Sequence, residues 1–472
     1  MGSYYDLVKN KATYSYSITP IQVKLFLLIA TIFGFCFVFT SPPMKSPDEP
    51  QHYYRSFEVS ELHFLSTKYS DGRFGYNLPH NVGVFGEKHL AIEEKHLPPD
   101  VSLLKQLYKQ GYTQERREIR FENSAVYSPV GYTSSALGLS TAKALHLSIL
   151  KGFYIGRIFN LLTYILLVAL ALWIAPAFRW IMLSVSLLPM SLFQAASFSP
   201  DAITNGLTCL AFGLFLYLYN LRTIHTKHLL SSLVVLMALA LTKQVYILLL
   251  VPYLFIAKDK FKHNTHYFVW CLAIIIVPVI SSMIWLFFSA DIADKLKVMF
   301  KLGDSISAID QIRYVVTNPL DYAWTIIRTL FGQSDYLLKG TFGLLGWATI
   351  SLPLITYICI SLILLISILA EGSERRLFMS AKIKVALSVT AIITLIGVCS
   401  SLYFSFTPVG SSTINGLQGR YFIPVLLLIL PVVVSKRFTL KSRQKDLIVI
   451  YVIFTCFILL SSLVVLAKAT YI

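Results

Sequence analysis

Two short polar stretches in an otherwise apolar chain carry residue types suited to chemistry. The first is Ser46-Pro47-Asp48-Glu49-Pro50-Gln51-His52. Adjacent carboxylates at the mouth of a membrane cavity can deprotonate a hydroxyl or hold a divalent cation, and partial desolvation tunes their pKa. His52 and Arg55 follow one turn later. The same residues also read as a helix N-cap with proline first and Glu49 third, although Pro50 disfavours helical geometry at Glu49 itself. The second stretch is Asn415-Gly416-Leu417-Gln418-Gly419-Arg420-Tyr421. Its glycines permit close backbone approach, and Arg420 offers a planar fork of donors matched to phosphate.

Weaker candidates accompany these. Ser197-Phe198-Ser199-Pro200-Asp201 opens an apolar run, where an acid also complements the helix dipole. Lys243 lies between two apolar runs, and Arg157 sits four residues into another. A cation at the hydrocarbon edge is costly unless paired or solvated, so each binds a lipid phosphate or pairs with an acid. Tyr127 and Tyr132 offer rings for stacking on a sugar, against the plainer role of interfacial belt residues. The pairs His225/His228 and His263/His266 have i,i+3 spacing but lie in basic loops without carboxylate partners, which argues against a metal there. No P-loop, dinucleotide-binding glycine pattern, His-Glu-x-x-His or Gly-x-Ser-x-Gly motif stands in a suitable context, which disfavours ATP-driven transport and serine hydrolysis.

The elements that must position these residues are membrane helices. The chain is 56% hydrophobic and 14% charged over 472 residues, more apolar surface than one soluble core can bury. A span needs roughly 20 apolar residues, and about eleven stretches qualify: 21–40, 153–175, 179–197, 202–221, 229–242, 244–257, 266–289, 345–370, 385–404, 421–435 and 447–467. The runs at 229–242 and 244–257 almost abut at Lys243 and read as a broken or tilted pair. Lys9 and Lys11 before the first span, and Lys24 in its first turn, flank a span read as retained, which puts the N-terminus inside. Arg222, Lys227, Lys258, Lys260, Lys262, Arg375, Arg376, Lys382, Lys384, Lys436, Arg437, Lys441, Arg443 and Lys445 then all fall in cytoplasmic loops, as the positive-inside bias requires. Those loops account for much of the +17 net charge and point to anionic lipid rather than nucleic acid as its partner. The six cysteines lie inside expected spans, which argues against disulfides or a thiolate zinc site. The chain reads as a single transmembrane domain over 1–472 with two outer segments. The segment 41–152 carries an amphipathic helix at 101–118, with Val101, Leu104, Leu107 and Tyr108 as its apolar side, and an interfacial helix at 130–150. The segment 290–344 starts with alternating charge at Asp291, Asp294, Lys295 and Lys297 and continues as an amphipathic stretch from Tyr314 to Phe331.

The acidic pair Asp48-Glu49 with Pro50 and His52, the Gln194 to Asp201 stretch, Lys243, and Gln418-Gly419-Arg420-Tyr421 together resemble a group of bacterial membrane proteins similar to the GT-C superfamily of glycosyltransferases. The resemblance spans residues from about 30 to 435. It implies an all-α polytopic, GT-C-like bundle that transfers a sugar from a polyprenyl-phosphate carrier to an extracytoplasmic glycan, such as O-antigen or cell-wall polysaccharide, at the outer face of the bacterial cytoplasmic membrane. On that reading Asp48 is the general base with Glu49 and His52 as supports. Arg420 and Lys243 clamp the phosphate, with Gln418, Asp201, Arg157, Tyr127 and Tyr421 as further substrate-binding residues. A metal is left unassigned. The competing expectations are a flippase or transporter of the carrier lipid and a glycan polymerase or ligase.

Overall fold

The computed structural model describes residues 19–471 except 96, 300–305, 374–378 and 441–443. Lys9, Lys11, Arg375, Arg376, Lys441 and Arg443 lie outside the described residues, as do the side chains of Asp294 and Lys297. The protein is an all-α polytopic bundle. Among the described residues seven helices are long and apolar enough to cross a bilayer: Ile21–Thr40, Ile149–Ile174, Asp201–Asn220, Asn264–Ala293, Leu354–Ser373, Ala381–Phe406 and Gln444–Tyr471. Shorter apolar helices cover Thr226–Thr242, Gln244–Phe255 and Gly419–Val433.

Two expected spans take another form for local reasons, and the abutting pair at Lys243 is broken as expected. The 179–197 run is two short helices, Arg179–Ser186 and Pro189–Ala195, because Pro189 lacks the N–H needed to continue the first. The 345–370 run starts at Leu354. The residues before it turn through Gly346 at φ +61° and pair Leu344–Leu345 with Ile350–Ser351. The pair at 229–257 is an α-helix followed by a 3-10 helix, joined at Lys243 in extended backbone (φ −148°, ψ 113°). The charged stretch expected to open the second outer segment instead continues a helix to Met299.

Burial ranks the spans. Asp201–Asn220 is 89% buried and Asn264–Ala293 only 17%, so the first is the bundle's centre and the second its edge. The helix that begins with Asp201 therefore delivers its N-terminus to the middle of one end of the bundle. Over that end folds the first outer segment, around its own aromatic core of Tyr53, Phe57, Phe85, Phe121, Phe153 and Phe198. It contains a three-stranded antiparallel sheet of Thr67–Lys68, Phe74–Pro79 and Arg116–Arg120, unforeseen in the sequence. The expected helix at 101–118 covers only Val101–Lys109, capped by Asp100, and it buries Leu103 and Leu107 while Val101 and Tyr108 stay exposed. The expected 130–150 helix is a 3-10 turn, Pro129–Tyr132, running into Thr133–Ala144. It packs closely on the next span, since a Cβ on Gly138 would stand 2.8 Å from Ile155 O.

Loops of like kind gather at the opposite end. Ile224 bridges Phe261, and Lys260 donates to Tyr219 O. Glu371 accepts from the Phe178 and Trp180 amides at 2.9 and 2.6 Å. Lys384 Nζ donates to the Val432 and Val434 carbonyls, each at 2.8 Å.

Candidate functional site

Asp48 occupies the cap position of the helix Glu49–Ser60 in left-handed backbone (φ 58°, ψ 14°), and its side chain makes no capping bond. That conformation is strained for a residue with a Cβ, though aspartate tolerates it better than most. It turns the carboxylate away from the helix end, where it would otherwise be used. The expected capping box is absent: Glu49 is the first helical residue and Pro50 the second, a position where a missing N–H costs nothing.

Glu49 has a different task. Its carboxylate accepts from Arg157 Nε at 2.8 Å and Nη2 at 2.6 Å, from the Phe198 amide at 3.2 Å and from the Ser46 amide at 3.3 Å. Arg157 donates also to the carbonyls of Val38, Ser41 and Pro42 at 3.1, 2.7 and 2.8 Å. Both side chains are fully buried, and every N–H of this guanidinium is used. Glu49 and Arg157 thus form a closed structural pair that joins the end of the first span, the acidic turn and the 197–199 turn.

The other candidates converge. Asp48, His52, Tyr127, Asp201, Lys243, Gln418, Arg420 and Tyr421 line one cavity of about 180 Å³ together with Asn123, Ser199, Pro200, Leu402, Phe406 and Gly416, room for on the order of a dozen waters. Arg420 Nη2 stands 3.5 Å from Asp48 Oδ2, and its Nε stands 3.6 Å from Asp201 Oδ2. Lys243 pairs with Asp201 Oδ1 and rests over the Tyr421 ring, 4.6 Å from its centroid. Acid pairing, one of the roles weighed for Lys243, is thus realised inside the cavity.

Arg420 is held by backbone contact. It follows Gly419 in a 3-10 turn, Gly419–Phe422. A Cβ on Gly419 would lie 2.1 Å from Leu337 O, and Thr341 Oγ1 donates to Gly419 O at 2.9 Å, so only glycine admits the helix Ser334–Phe342 this close. Asp201 is set by the turn before it. Asn160 donates to the Ser197 and Ser199 carbonyls at 2.7 and 3.0 Å, and the Asp201 amide donates to Ser199 Oγ at 3.2 Å.

Arg157 and Arg420, both buried, differ in how far their donors are used. Arg157 has no donor left. Arg420, with a side chain only 6% exposed, keeps Nε and Nη1 without a hydrogen-bond partner, and unmet buried donors of a charged group are costly. Asn123 Oδ1 is a further unpartnered buried atom, on a residue that lines the same cavity. His52 Nδ1 lies 2.9 Å from Tyr132 Oη. Burial pushes the His52 pKa down to about 4, against the counter-pull of Asp48, and pushes the Tyr132 hydroxyl well above the usual tyrosine value. At neutral pH both groups are therefore uncharged, and one proton is shared between the ring nitrogen and the hydroxyl.

The sequence missed Asn123, Leu402 and Phe406 as lining residues. Leu402 lies at the outer end of the expected span 385–404 and Phe406 just beyond it, which was a usable signal. Asn123 carried none. Among the described residues no group of three or more His, Cys, Asp or Glu side chains is arranged to hold a metal ion.

Residues 31–429 match the family described as predicted membrane protein (DUF2142). The chain belongs to this DUF2142 family. The match takes in every cavity-lining residue from Asp48 to Tyr421 and makes the protein a multi-pass membrane protein. No curated protein and no solved structure matches the chain.

Two outcomes follow for this DUF2142 member. Arg157→Met leaves Glu49 charged and unpaired in the interior, so it should lower unfolding stability by about 3–5 kcal/mol, with Glu49→Gln/Arg157→Met recovering part of the loss. Detergent-phase denaturation of the three proteins checks this. For His52, the folded pKa of about 4 lies below the ordinary 6.5, so the unfolded chain binds the proton more readily in between. Stability should be full above about pH 6.5 and fall as the pH drops toward about 4. A His52→Gln variant should lose less over that interval in pH-dependent thermal unfolding.

Proposed function

We propose that the protein is a glycosyltransferase of GT-C type, moving a sugar from a polyprenyl-phosphate carrier to an extracytoplasmic glycan. The observation that carries this is the pair of unmet donors on buried Arg420 beside Lys243, facing Asp48 across one cavity. A phosphate oxygen satisfies such donors. The remaining nitrogen, Nη2, stands 3.5 Å from Asp48, a contact long enough to be exchanged for a better acceptor. Leu402 and Phe406 give the cavity lining an apolar part, while most of the other lining side chains are charged or polar, as suits a ligand with a lipid tail and a polar head.

In the proposed reaction the acceptor hydroxyl attacks the anomeric carbon. Its proton passes to the Asp48 carboxylate, and the bond from that carbon to the phosphate oxygen breaks. The electrons of that bond leave on the carrier phosphate, whose growing charge faces Arg420 and Lys243. A single displacement inverts the anomeric centre. Asp201 takes no part in proton transfer, because it is engaged by Lys243 and Arg420 and orients both cations. Neutral His52 presents a donor or acceptor beside Asp48 rather than a charge. The orientation rests on the basic loops: Lys258, Lys260, Lys262, Lys382 and Lys384 lie at the bundle end opposite the cavity, which by the positive-inside bias is the cytoplasmic one. The cavity then faces outward from a bacterial cytoplasmic membrane.

Purified protein assayed with a polyprenyl-phosphate sugar and a glycan acceptor tests the proposal. Asp48→Asn should lower transfer by about 10²–10⁴-fold while donor binding persists. Arg420→Lys keeps the charge but loses the fork, and should weaken donor binding. Normal turnover by Asp48→Asn removes the proposed base. No transfer from any donor, together with movement of labelled carrier lipid across liposomes, replaces the enzyme with a transporter.

A further inference from the structure

The helix Pro319–Gly332 is built inside out. Its protein-facing side is Tyr322, Thr325, Ile326 and Thr329, largely hydroxyl-bearing. These bind the loop and span beside them: Tyr322 Oη lies 2.6 Å from Ser400 Oγ, and Thr329 Oγ1 accepts from the Ile414 amide at 3.0 Å. The opposite side is a stripe at helical spacing of Leu320, Trp324, Ile327 and Phe331, exposed by 84%, 57%, 42% and 78%. A soluble helix has the reverse polarity. Asp321 and Arg328, both exposed, fall together on one flank between these faces, about 100° per residue placing them a quarter-turn from the stripe.

Three observations say what covers the stripe. The hydroxyl face docks on the outer end of the span Ala381–Phe406, whose own exposed side is Val385, Val389, Ile392 and Ile396, so the stripe continues an apolar surface that is already lipid-facing. The helix has 14 residues, about 21 Å, too short to cross roughly 30 Å of hydrocarbon. Its charge is confined to one flank, as in a helix lying in the plane of the interface with that flank toward water. The preceding helix repeats the pattern with exposed Ile309, Ile312 and Val316.

We propose that Pro319–Gly332 is an interfacial anchor, seated in the same leaflet as the cavity with Leu320, Trp324, Ile327 and Phe331 among lipid acyl chains. The bilayer is thereby a structural partner of the site. The next helix, Ser334–Phe342, holds Gly419 through backbone contact, and Gly419 carries Arg420. This anchoring is independent of what the cavity binds.

The test uses the full chain reconstituted in phosphatidylethanolamine/phosphatidylglycerol vesicles, with bromine on the acyl chains at graded depths. Subtracting the emission of Trp324→Phe from that of the wild type isolates Trp324. Expected is loss of most of that emission to shallow acyl bromines and little loss to aqueous acrylamide. Trp324→Phe/Phe331→Trp, a second reporter on the same stripe, should respond alike. Quenching by acrylamide but not by bromolipid at both positions overturns the proposal. So does protection from both quenchers in a protein that runs as a dimer, since a second copy would then cover the stripe.

Discussion

The site depends on one buried ion pair. Glu49 and Arg157 meet between the first outer turn and the span Ile149–Ile174. The guanidinium takes up the carbonyls left at the end of the first span, and the carboxylate takes up the amides of Ser46 and Phe198. Helix ends buried without partners are unstable, and here the arginine satisfies one while the carboxylate ties down the two turns beside it. Asp48 is adjacent to Glu49 in sequence, and Asp201 follows Phe198 by three residues. The same carboxylate therefore fixes the backbone on both sides of the cavity. A buried pair of this kind adds little net stability compared with apolar packing, but it demands one geometry.

Around that strut the cavity is balanced in charge and unbalanced in hydrogen bonding. Asp48 and Asp201 offset Arg420 and Lys243, which permits four ionised groups to share a half-enclosed space. Yet Arg420 retains unused donors, and Asp48 is kept in left-handed backbone with its carboxylate 35% exposed. Strain and unmet polarity concentrate where a ligand can relieve them. The structural arginine and the candidate binding arginine, both buried cations at the same end of the bundle, differ in that only Arg420 lines the cavity and keeps unused donors.

Much of this was legible in the sequence. Helix positions followed from apolar length, and the motifs around Asp48, Asp201, Lys243 and Arg420 were singled out before any geometry. Adjacency in sequence misled at Asp48-Glu49, where two neighbouring acids are split by a backbone reversal into one facing the cavity and one facing the protein. Arg157 carried no sign of its partner, because a cation inside a span reads the same whether it binds a ligand or an acid 108 residues earlier. The three-stranded sheet was hidden for a similar reason: Thr67–Lys68 is two residues long and Arg116–Arg120 is charged at every position but Ile119, so neither gave a strand signal. The inward hydroxyls of Pro319–Gly332 were visible as letters, but their meaning required knowing which side met protein.

On the proposed function, Arg420 receives an anionic lipid head group in the cavity. The most direct measurement is a structure of the protein in lipid nanodiscs with polyprenyl phosphate added. Expected is phosphate density within hydrogen-bond distance of Arg420 Nε and Nη1, with the tail leaving along Leu402 and Phe406. Phosphate bound elsewhere, with Arg420 still turned to Asp48 and Asp201 alone, would contradict it.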